Sequence, residues 1–444
     1  MPIYRANHVV PVSSPPILGG AVCFRQGLIA AVGSARAIIE DFPEEEVLDF
    51  GDSAIVPGFV NCHTHLELTA FRGQLDKYDD DFCRWLIEIT KLRREYDAAD
   101  QIELSARLGA AEAASSGVTT IGDIGRVGTA GVAALNAVGL RGIVFQETEF
   151  SPSGLTAKED FRKLVEKFEV LAGSCKSHVA AGLSPHAPYT VSRELFELIT
   201  GYSIDNDVLM SIHAAESAEE AELMTKGTGA IAELLFKDSS YWKTPHLSTV
   251  AYLQEIGVLD AAPLLAHCIG VSAEEVAMIA ESGTKIAHCP KSNSKFGHGA
   301  APLGEFLEHG ITVGIGTDSM ASNNICDMLE EARFAGLISR VRGGQHAIVS
   351  PELLFWSMTM GGASALGLEC EIGSLEPGKQ ADLVIISIDG IAQVPVNDIY
   401  STLIFSTSAS SVTSVLVGGD VVYKDGKLTQ IDAEELVSRV SRTF

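Results

Sequence analysis

Short apolar runs recur along the middle of the chain, and segments with helical periodicity separate them. Strands of a parallel sheet read as continuous apolar runs, because both faces of such a sheet are covered. We interpret eight runs as strands: Phe59–Cys62, Thr119–Asp123, Gly142–Gln146, Val179–Leu183, Val208–Ile212, Leu264–Ala266, Lys285–Ala287 and Thr312–Gly316. The intervening patterns predict helices at Asp100–Ser115, Lys158–Leu171, Arg193–Thr200 and Ala273–Glu281. Eight strands alternating with helices predict a parallel (β/α)8 TIM barrel.

Both ends of the chain carry a different pattern, in which glycine and proline separate short β-prone segments. These segments are Ala21–Phe24, Leu28–Val32, Ile55–Val56, Asp382–Ile386, Val412–Val417 and Val421–Tyr423. Gly418-Gly419, between the last two, is typical of a tight hairpin turn. Neither end alone can bury enough apolar area to be stable. We therefore predict an α/β protein in which residues 1–57 and 368–444 form one composite β-sandwich beside a barrel of residues 58–367.

Composition and charge narrow the classes of partner. The chain has 444 residues, of which 46% are hydrophobic and 20% charged, so a large core is expected and disorder is not. The net charge of −26 repels phosphate backbones and anionic lipids, which argues against nucleic acid and membrane surfaces as partners. The first residues lack the pattern of a signal peptide, and no apolar run reaches about twenty residues.

The eight cysteines are scattered, without a CxxC pair. Cys62, Cys268 and Cys289 each adjoin a histidine in an apolar strand, where alternation directs them away from the histidine face. Buried free thiols in a reducing cytoplasm explain this pattern better than a disulfide framework. Zinc ligation by these thiols is the alternative.

Polar side chains stand where the predicted barrel strands end. His63 and His65 follow the first strand and share one face of it, so their imidazoles can bind one metal ion. Such a pair alone is a weak signal. The other strands end in further polar residues, which are His186, His213, Glu216, His267, His288 and Asp318. Because the carboxyl ends of barrel strands meet at one mouth, we predict a shared metal site there.

Six stretches of the sequence resemble a known superfamily. They are PGFVNCHTHLEL, SIHAAESAEE, LLAHCIG, IAHCPKSNSKFGHGAAPL, VGIGTDSMASNN and EIGSLEPGKQADLVII. In combination they resemble the amidohydrolase superfamily, in its branch of nucleobase and nucleoside deaminases and chlorotriazine hydrolases. The resemblance runs from about residue 50 to residue 390.

The resemblance implies roles for the residues at the strand ends. The implied ligands of a single divalent metal are His63, His65, His213 and Asp318, with zinc as the expected ion and iron as the alternative. Glu216 matches a glutamate that moves a proton to the heterocycle, His267 a histidine that orients water, and His186 a histidine that approaches substrate. Asp318 can also take a proton from the attacking water and pass it to the leaving ammonia. The fourth strand lacks the lysine that often bridges two metals in relatives, so one ion is expected.

Some of these residues have a simpler interpretation. Glu216 can be a carboxylate that favours the start of a helix, through the helix dipole. His186 and His288 can be structural hydrogen-bonding residues, because neither is needed to complete the metal shell.

A second resemblance concerns the substrate. The run HLELTAFRGQLDKYDDDFCRWLIEITKLRREY is similar to the aminodeoxyfutalosine deaminases of the menaquinone route, whereas methylthioadenosine and S-adenosylhomocysteine deaminases lack the glutamate after HxHL. The positions that carry it are Glu67, Phe82, Trp85, Leu86, Arg93 or Arg94, and Gln146-Glu147. Trp85 is expected against the substrate and Arg93 or Arg94 near a substrate carboxylate; the alternative is that Phe82 and Trp85 are the apolar face of a lid helix. The predicted substrate-binding residues are therefore Glu67, Trp85, Arg93, Arg94, Glu147, His186 and His288.

The leading hypothesis is a hydrolytic deaminase that acts on the adenine ring of a modified purine nucleoside, with 6-aminodeoxyfutalosine as the expected substrate. The enzyme alternatives are a methylthioadenosine/S-adenosylhomocysteine deaminase and an s-triazine hydrolase. The alternative from another class is a metal-binding scaffold with a degenerate site, against which the intact set of polar residues argues. The sequence leaves open whether the chain forms a homodimer.

Overall fold

The computed structural model describes residues 2–237, 241–344 and 348–444. Within these ranges the strands are β1 (Ile3–Val9), β2 (Ile17–Arg25), β3 (Leu28–Ser34), β4 (Val47–Asp49), β5 (Ser53–Pro57), β6 (Phe59–Thr64), β7 (Val118–Gly125), β8 (Arg141–Glu147), β9 (Val179–Ser184), β10 (Ser211–Ala214), β11 (Leu264–His267), β12 (Lys285–His288), β13 (Val313–Ile315), β14 (Leu383–Ser387), β15 (Val412–Val417), β16 (Asp420–Lys424) and β17 (Lys427–Leu428). The α-helices are α1 (Ala35–Asp41), α2 (Phe82–Glu95), α3 (Ala99–Ser115), α4 (Gly128–Val138), α5 (Ala157–Ser174), α6 (Arg193–Asn206), α7 (Ala218–Lys226), α8 (Ala230–Leu235), α9 (Thr249–Glu255), α10 (Ala273–Ser282), α11 (Pro290–Lys295), α12 (Leu303–Glu308), α13 (Met320–Asn323), α14 (Met328–Gly343), α15 (Pro351–Trp356), α16 (Gly362–Ala365), α17 (Ile399–Ser406) and α18 (Ala433–Thr443). None of the helices in the described ranges is long and apolar enough to cross a bilayer.

Strands β6 to β13 form the predicted barrel. They make two parallel four-stranded sheets, in the orders β6-β7-β8-β9 and β10-β11-β12-β13. Backbone hydrogen bonds close both seams: the Leu183 N–H donates to the Leu209 carbonyl, and the Asp318 N–H donates to the His63 carbonyl, each over 3.0 Å. The eight strands lie where the apolar runs predict them, except that β10 begins at Ser211. Before that point Met210 pairs with Leu183 only through an isolated bridge. The predicted α/β barrel class is confirmed.

The two ends of the chain pair with each other. They form one nine-stranded sheet in the order β17-β16-β15-β14-β5-β1-β2-β3, with β4 beside β1. Strand β5 runs antiparallel to β14 and so joins the N-terminal and C-terminal strands. Gly418 and Gly419, with φ of 55° and 81°, make the predicted turn between β15 and β16, because two positive φ angles favour glycine there. The proposed boundaries at 57/58 and 367/368 stay a prediction.

A buried ion pair fixes this sheet to the barrel. Arg141, at the start of β8, donates from Nε to Oδ2 of Asp382 over 3.0 Å and from Nη2 to Oδ1 over 3.3 Å. The Gly418 N–H also donates to Asp382 Oδ1, over 2.7 Å. A two-pronged pair of this kind fixes orientation as well as distance. The barrel and the sheet are therefore held in one orientation.

The C-terminal segment also reaches the outer helices of the barrel, which the sequence analysis missed. Arg333 on α14 donates to the carbonyls of Ile404 and Thr407, at and just past the end of α17. Leu436 on α18 packs with Leu104 on α3. The last part of the chain thus covers apolar surface on the barrel as well as completing the sheet.

Deleting residues 391–444 should make the protein aggregate. The deletion removes β15, so that the apolar strand β14 becomes an unpaired edge of the sheet. It also uncovers the helices that α17 and α18 contact. Unpaired apolar edges promote edge-to-edge association. The soluble fraction and the cooperativity of thermal unfolding measure the effect. A truncated chain that stays soluble and unfolds in one sharp transition would contradict this role for the C-terminal strands.

Candidate active site

Five buried side chains from four strand ends come together at the mouth of the barrel. They are His63, His65, His213, His267 and Asp318. His65 Nε2 lies 3.2 Å from His213 Nε2, and Asp318 Oδ1 lies 3.5 Å from His63 Nε2 and 3.6 Å from His65 Nε2. Gly316 makes room for this arrangement, since a Cβ there would stand 2.8 Å from the Cβ of His63.

Hydrogen bonds from the far side of each ring fix how the histidines face the centre. His65 Nδ1 lies 3.0 Å from the Ile124 carbonyl, and His213 Nδ1 lies 3.0 Å from the His186 carbonyl. A carbonyl only accepts, so Nδ1 carries the hydrogen in both rings, and in the neutral imidazole Nε2 keeps a lone pair. His267 Nδ1 likewise lies 2.8 Å from Asn293 Oδ1.

Two serines hold the carboxylate of Asp318. Ser292 Oγ and Ser322 Oγ donate to Oδ2 over 2.5 Å and 2.9 Å, which leaves Oδ1 facing the histidines. Burial alone would raise the pKa of Asp318, but the close contact of its carboxylate with His63 and the nearby imidazoles hold it well below the usual range. Asp318 therefore stands at the mouth as an ionised carboxylate.

This donor set fits one divalent metal ion. His65 Nε2 and His213 Nε2 lie 3.2 Å apart, and each nitrogen directs a lone pair at the other. This arrangement is repulsive unless a cation lies between them. His63 is fully buried, burial lowers its pKa to about 4, and neither ring nitrogen has a hydrogen-bond partner among the described residues. Ligand atoms about 2.1 Å from a shared ion at tetrahedral angles lie about 3.4 Å apart, close to the separations measured here. The residues that would hold the ion are His63, His65, His213 and Asp318.

Glu216 lies beside this cluster, and Glu220 holds the turn that carries it. Glu216 Oε1 is 3.8 Å from His267 Nε2. The buried carboxylate of Glu220 accepts the backbone N–H groups of Ala215 and Glu216 over 3.0 Å and 2.8 Å, and Thr249 donates to it over 2.6 Å. Burial raises the pKa of Glu216 to about 8, and the charge on Asp318 adds to the effect. These surroundings therefore favour the protonated form of Glu216.

Glu216 is not part of the helix that follows it. Helix α7 begins at Ala218, Ser217 caps it, and the acidic residues of its first turn are Glu219 and Glu220. The alternative interpretation, a carboxylate that favours the start of a helix, therefore fits Glu219 and Glu220 better than Glu216.

Arg93 forms a buried ion cluster with Glu67 and Glu147. Arg93 Nη2 lies 2.9 Å from Glu67 Oε1, and Nη1 lies 3.4 Å from Glu147 Oε2. Burial opposes the charge on Arg93, but the two carboxylates raise its pKa. Two carboxylates therefore already offset the single positive charge that Arg93 could offer a substrate carboxylate, whereas Arg94 is exposed at the end of α2. That Arg93 or Arg94 binds a carboxylate of the substrate stays a prediction. For Arg93, Glu67 and Glu147 already offset the positive charge.

His186 and His288 occupy different surroundings. His186 Nδ1 lies 2.8 Å from Thr190 Oγ1, and its Nε2 faces Glu147 Oε1 at 4.0 Å. That carboxylate oxygen is buried and has no hydrogen-bond partner among the described residues. His288 is buried with both ring nitrogens unpaired in the described part of the chain, and burial lowers its pKa to about 3.

Several residues that shape the site were missed by the sequence analysis. They are Glu220, Ser292, Asn293 and Ser322. All four follow a strand-end residue by four or five positions, inside the stretches ESAEE, HCPKSN and DSMAS. In the structure, backbone strain marks the same turns, since Ala215, His267 and Asp318 have φ of 51°, 73° and 58°. Non-glycine residues rarely adopt such angles, and they concentrate at functional sites.

An eight-stranded parallel barrel with three imidazoles and two buried carboxyl groups at its mouth is the arrangement of a metal-dependent hydrolase. Residues 54–422 match the model of the amidohydrolase family. The chain belongs to the amidohydrolase family. It is a hydrolase that acts on carbon–nitrogen bonds other than peptide bonds.

Individual relatives agree with this assignment. A 5-methylthioadenosine/S-adenosylhomocysteine deaminase from Moorella thermoacetica is 31% identical over 436 residues, covering 98% of this chain and 96% of the relative. The structure of an adenosine deaminase from Xanthomonas campestris with bound zinc superposes with a TM-score of 0.86 at 25% identity, covering 99% of this chain and 97% of that one. The structure of an aminofutalosine deaminase from Helicobacter pylori in complex with methylthio-coformycin shares the fold, with a TM-score of 0.79 at 23% identity over 95% and 100% of the two chains.

Proposed function

We propose that the chain is a hydrolytic deaminase that removes the amino group from the adenine ring of a nucleoside modified at the 5' position. The observation that carries the proposal is the buried carboxyl group of Glu216, which lies 3.8 Å from His267 at the edge of the metal-ligand cluster and whose pKa burial raises. A ring nitrogen must gain a proton while water attacks the neighbouring carbon, and a protonated carboxyl group can supply it.

The residues at the mouth divide the proton transfers. A divalent ion would be held by His63, His65, His213 and Asp318 and would supply Lewis-acid activation of water. Glu216 donates its proton to the ring nitrogen beside the carbon that bears the amino group. Asp318 accepts a proton from the water and passes it to the departing amine. The water oxygen replaces the amino group as a ring carbonyl, its second proton returns to Glu216, and ammonia leaves.

The remaining hydrogen-bond acceptors suit a ribose. Thr190 Oγ1 is 3.0 Å from the Ala187 carbonyl, to which it donates, so it accepts from His186 Nδ1 and leaves His186 Nε2 as an acceptor. His186 Nε2 and Glu147 Oε1 are then two acceptors 4.0 Å apart. Two neighbouring hydroxyl groups can each donate to one of them. This pair supports a nucleoside over an s-triazine, which has no such groups.

Two classes of candidate substrate remain, and they differ in the group at the 5' position. The names of relatives such as the Moorella thermoacetica protein favour 5'-methylthioadenosine and S-adenosylhomocysteine. The residues Glu67, Trp85 and Glu147 favour 6-aminodeoxyfutalosine, by the second resemblance described above. Because two carboxylates already offset the charge of Arg93, the predicted contact of Arg93 with a substrate carboxylate is a weaker argument for 6-aminodeoxyfutalosine. The choice between the two classes of substrate therefore depends on the residues that contact the 5' group.

A small panel of substrates tests the proposal. The metal-loaded protein is incubated with adenosine, 5'-methylthioadenosine, S-adenosylhomocysteine, 6-aminodeoxyfutalosine and a chlorotriazine. Deamination is followed by the ultraviolet shift from adenine to hypoxanthine and by ammonia release, and hydrolysis of the triazine is followed by chloride release. Turnover of at least one modified adenosine and none of the triazine is expected. Turnover of the triazine alone would overturn the proposal.

The catalytic efficiency should fall as the pH rises above about 8. Glu216 acts in its protonated form, and burial raises its pKa to about 8, so the acid is present below that pH and is lost above it. The measurement is kcat/KM for the best nucleoside between pH 6 and 10, at constant metal content. A profile that stays flat to pH 10 would contradict the assignment of Glu216 as the acid.

The setting that we propose is a reducing cytoplasm, with a small-molecule substrate. All eight cysteines are free, and Cys62, Cys268 and Cys289 are buried. Burial raises the pKa of each of these three thiols, which keeps them protonated and disfavours thiolate ligation of zinc.

A further inference from the structure

A buried glutamate that takes no part in the proposed chemistry links the two segments that hold Asp318. Glu331, on α14, is 0% exposed, and both of its carboxylate oxygens accept hydrogen bonds. Oε1 accepts from the side-chain amide of Asn323, and Oε2 accepts from the backbone N–H of Lys291 over 3.4 Å. Lys291 Nζ lies 3.9 Å from Oε1. One carboxylate thus joins the segment after β13 to the first turn of α11.

Both partners of this glutamate adjoin a serine that bonds to Asp318. Lys291 precedes Ser292, whose Oγ donates to Asp318 Oδ2 over 2.5 Å. Asn323 follows Ser322, whose Oγ donates to the same oxygen over 2.9 Å. The glutamate therefore holds a residue next to each of the two hydrogen bonds that orient the carboxylate of Asp318.

Asn323 also connects Glu331 to the backbone that carries Asp318. Its amide group donates to the Thr317 carbonyl over 2.6 Å as well as to Glu331. That carbonyl belongs to the peptide bond that leads into Asp318, whose φ of 58° lies in the left-handed region. Non-glycine residues rarely adopt such angles unless surrounding contacts hold them. The bond from Asn323 to Thr317 is such a contact, and Glu331 fixes the amide that makes it.

The surroundings of Glu331 are unfavourable for a carboxyl group. Burial raises its pKa to about 8, although the charge of Lys291 and the Asn323 amide act against this. A buried carboxyl group destabilises a fold unless its hydrogen bonds are well made, and an apolar side chain of similar volume is often equally stable or more stable. Fold stability alone is therefore a weak explanation for a glutamate at this position.

We propose that Glu331 is a positioning residue that fixes the direction of the Asp318 carboxylate. This inference rests on the proposed function, in which Asp318 binds the metal ion and accepts a proton from the attacking water. Without the two bonds to Glu331, Ser292 and Ser322 lose the support that aligns them with Asp318 Oδ2, and Oδ1 is no longer held facing the imidazoles. The reaction step should then slow, whereas binding of the nucleoside should change little, because Glu331 has no exposed surface.

Glu331→Gln tests the proposal, because glutamine keeps the volume and one acceptor oxygen but replaces the other oxygen with a donor. With metal at saturation, kcat per bound ion should fall by about 10-fold to 100-fold, and KM should stay within about 2-fold of the wild type. Glu330→Gln is the matched control. Glu330 is the partly exposed neighbour on α14 and lies 3.1 Å from the same Lys291 Nζ, so its loss removes a charge pair but neither of the two hydrogen bonds. Its kcat should be unchanged.

A second variant separates positioning from general stability. If Glu331 acts through Asn323, then Asn323→Ala should lower kcat to a similar extent, and the double variant should lose little more than the larger single loss. The midpoint of thermal unfolding shows that each variant is folded at the assay temperature. An unchanged kcat in Glu331→Gln, a change confined to KM, or losses that multiply in the double variant would overturn the proposal.

Metal affinity separates this proposal from the proposed function. If the wild type turns over none of the nucleosides, the proposed function fails, and the role of Glu331 is judged on the ion alone. Because Asp318 is an expected ligand, Glu331→Gln should weaken the binding of zinc by about 10-fold in competition with a chromogenic chelator, whereas Glu330→Gln should not. In that case, equal zinc affinity in Glu331→Gln and the wild type would overturn the positioning role.

Discussion

Replacing Glu216 with glutamine should lower the turnover number by about 10²-fold or more and leave the metal content unchanged. Glutamine keeps the shape of the side chain and the hydrogen bond of its backbone to Glu220, but it has no acidic proton for the ring nitrogen. Glu216 is also absent from the residues whose ligand atoms cluster at the metal position. Steady-state kinetics on the best nucleoside, with metal analysis of the same sample, measure the effect.

Glu222→Gln is the matched control for this variant. Glu222 lies on α7 and bonds to Thr228, away from the metal-ligand cluster, so its loss removes a nearby charge without removing the acid. Near-normal turnover of Glu216→Gln would show that this carboxyl group has a structural role and is not the catalytic acid. Another residue would then have to protonate the ring.

Removing the metal should abolish turnover, and one equivalent of a divalent ion per chain should restore it. The four expected ligands surround a single position, and the lone pairs of His65 and His213 meet there at 3.2 Å. His65→Ala should therefore lose the ion and at least about 100-fold of the activity. Metal analysis, chelation and reconstitution with zinc or iron measure this prediction and also identify the preferred ion.

His309→Ala is the control for the ligand substitution, because His309 is exposed and its ring bonds to the Glu305 carbonyl of the preceding helix turn. Two tightly held ions per chain would contradict the single site. So would full turnover by a preparation that contains no metal.

The barrel could be predicted because its strands obey local rules. Buried parallel strands are apolar along their whole length, and a polar residue at the end of such a run has few structural reasons to be there. His63, His213 and His267 stand out for this reason, and their convergence follows from the topology. Strand β1 was missed because Arg5, Asn7 and His8 interrupt its apolar pattern, and its pairing with β5 lies far along the chain.

Charge pairing could not be predicted in the same way. Arg93 and Glu67 are 26 residues apart and Arg93 and Glu147 are 54 apart, so nothing local indicates that their charges meet. The same holds for Glu220, which appears in the sequence as one of several acidic residues at a helix start. Its two bonds to the backbone before α7 become apparent only when the turn at Ala215 is seen.

The antiparallel pairing of β5 with β14 sets an order on folding during synthesis. Strand β14 is made roughly 330 residues after β5. At about 5–20 residues per second, β5 therefore waits for about 15 to 70 seconds with one edge open. The barrel strands between them are complete before that partner leaves the ribosome. Strand β5, one of the first strands to emerge, should thus be among the last to find both of its neighbours, whereas β1, β2 and β3 can pair early.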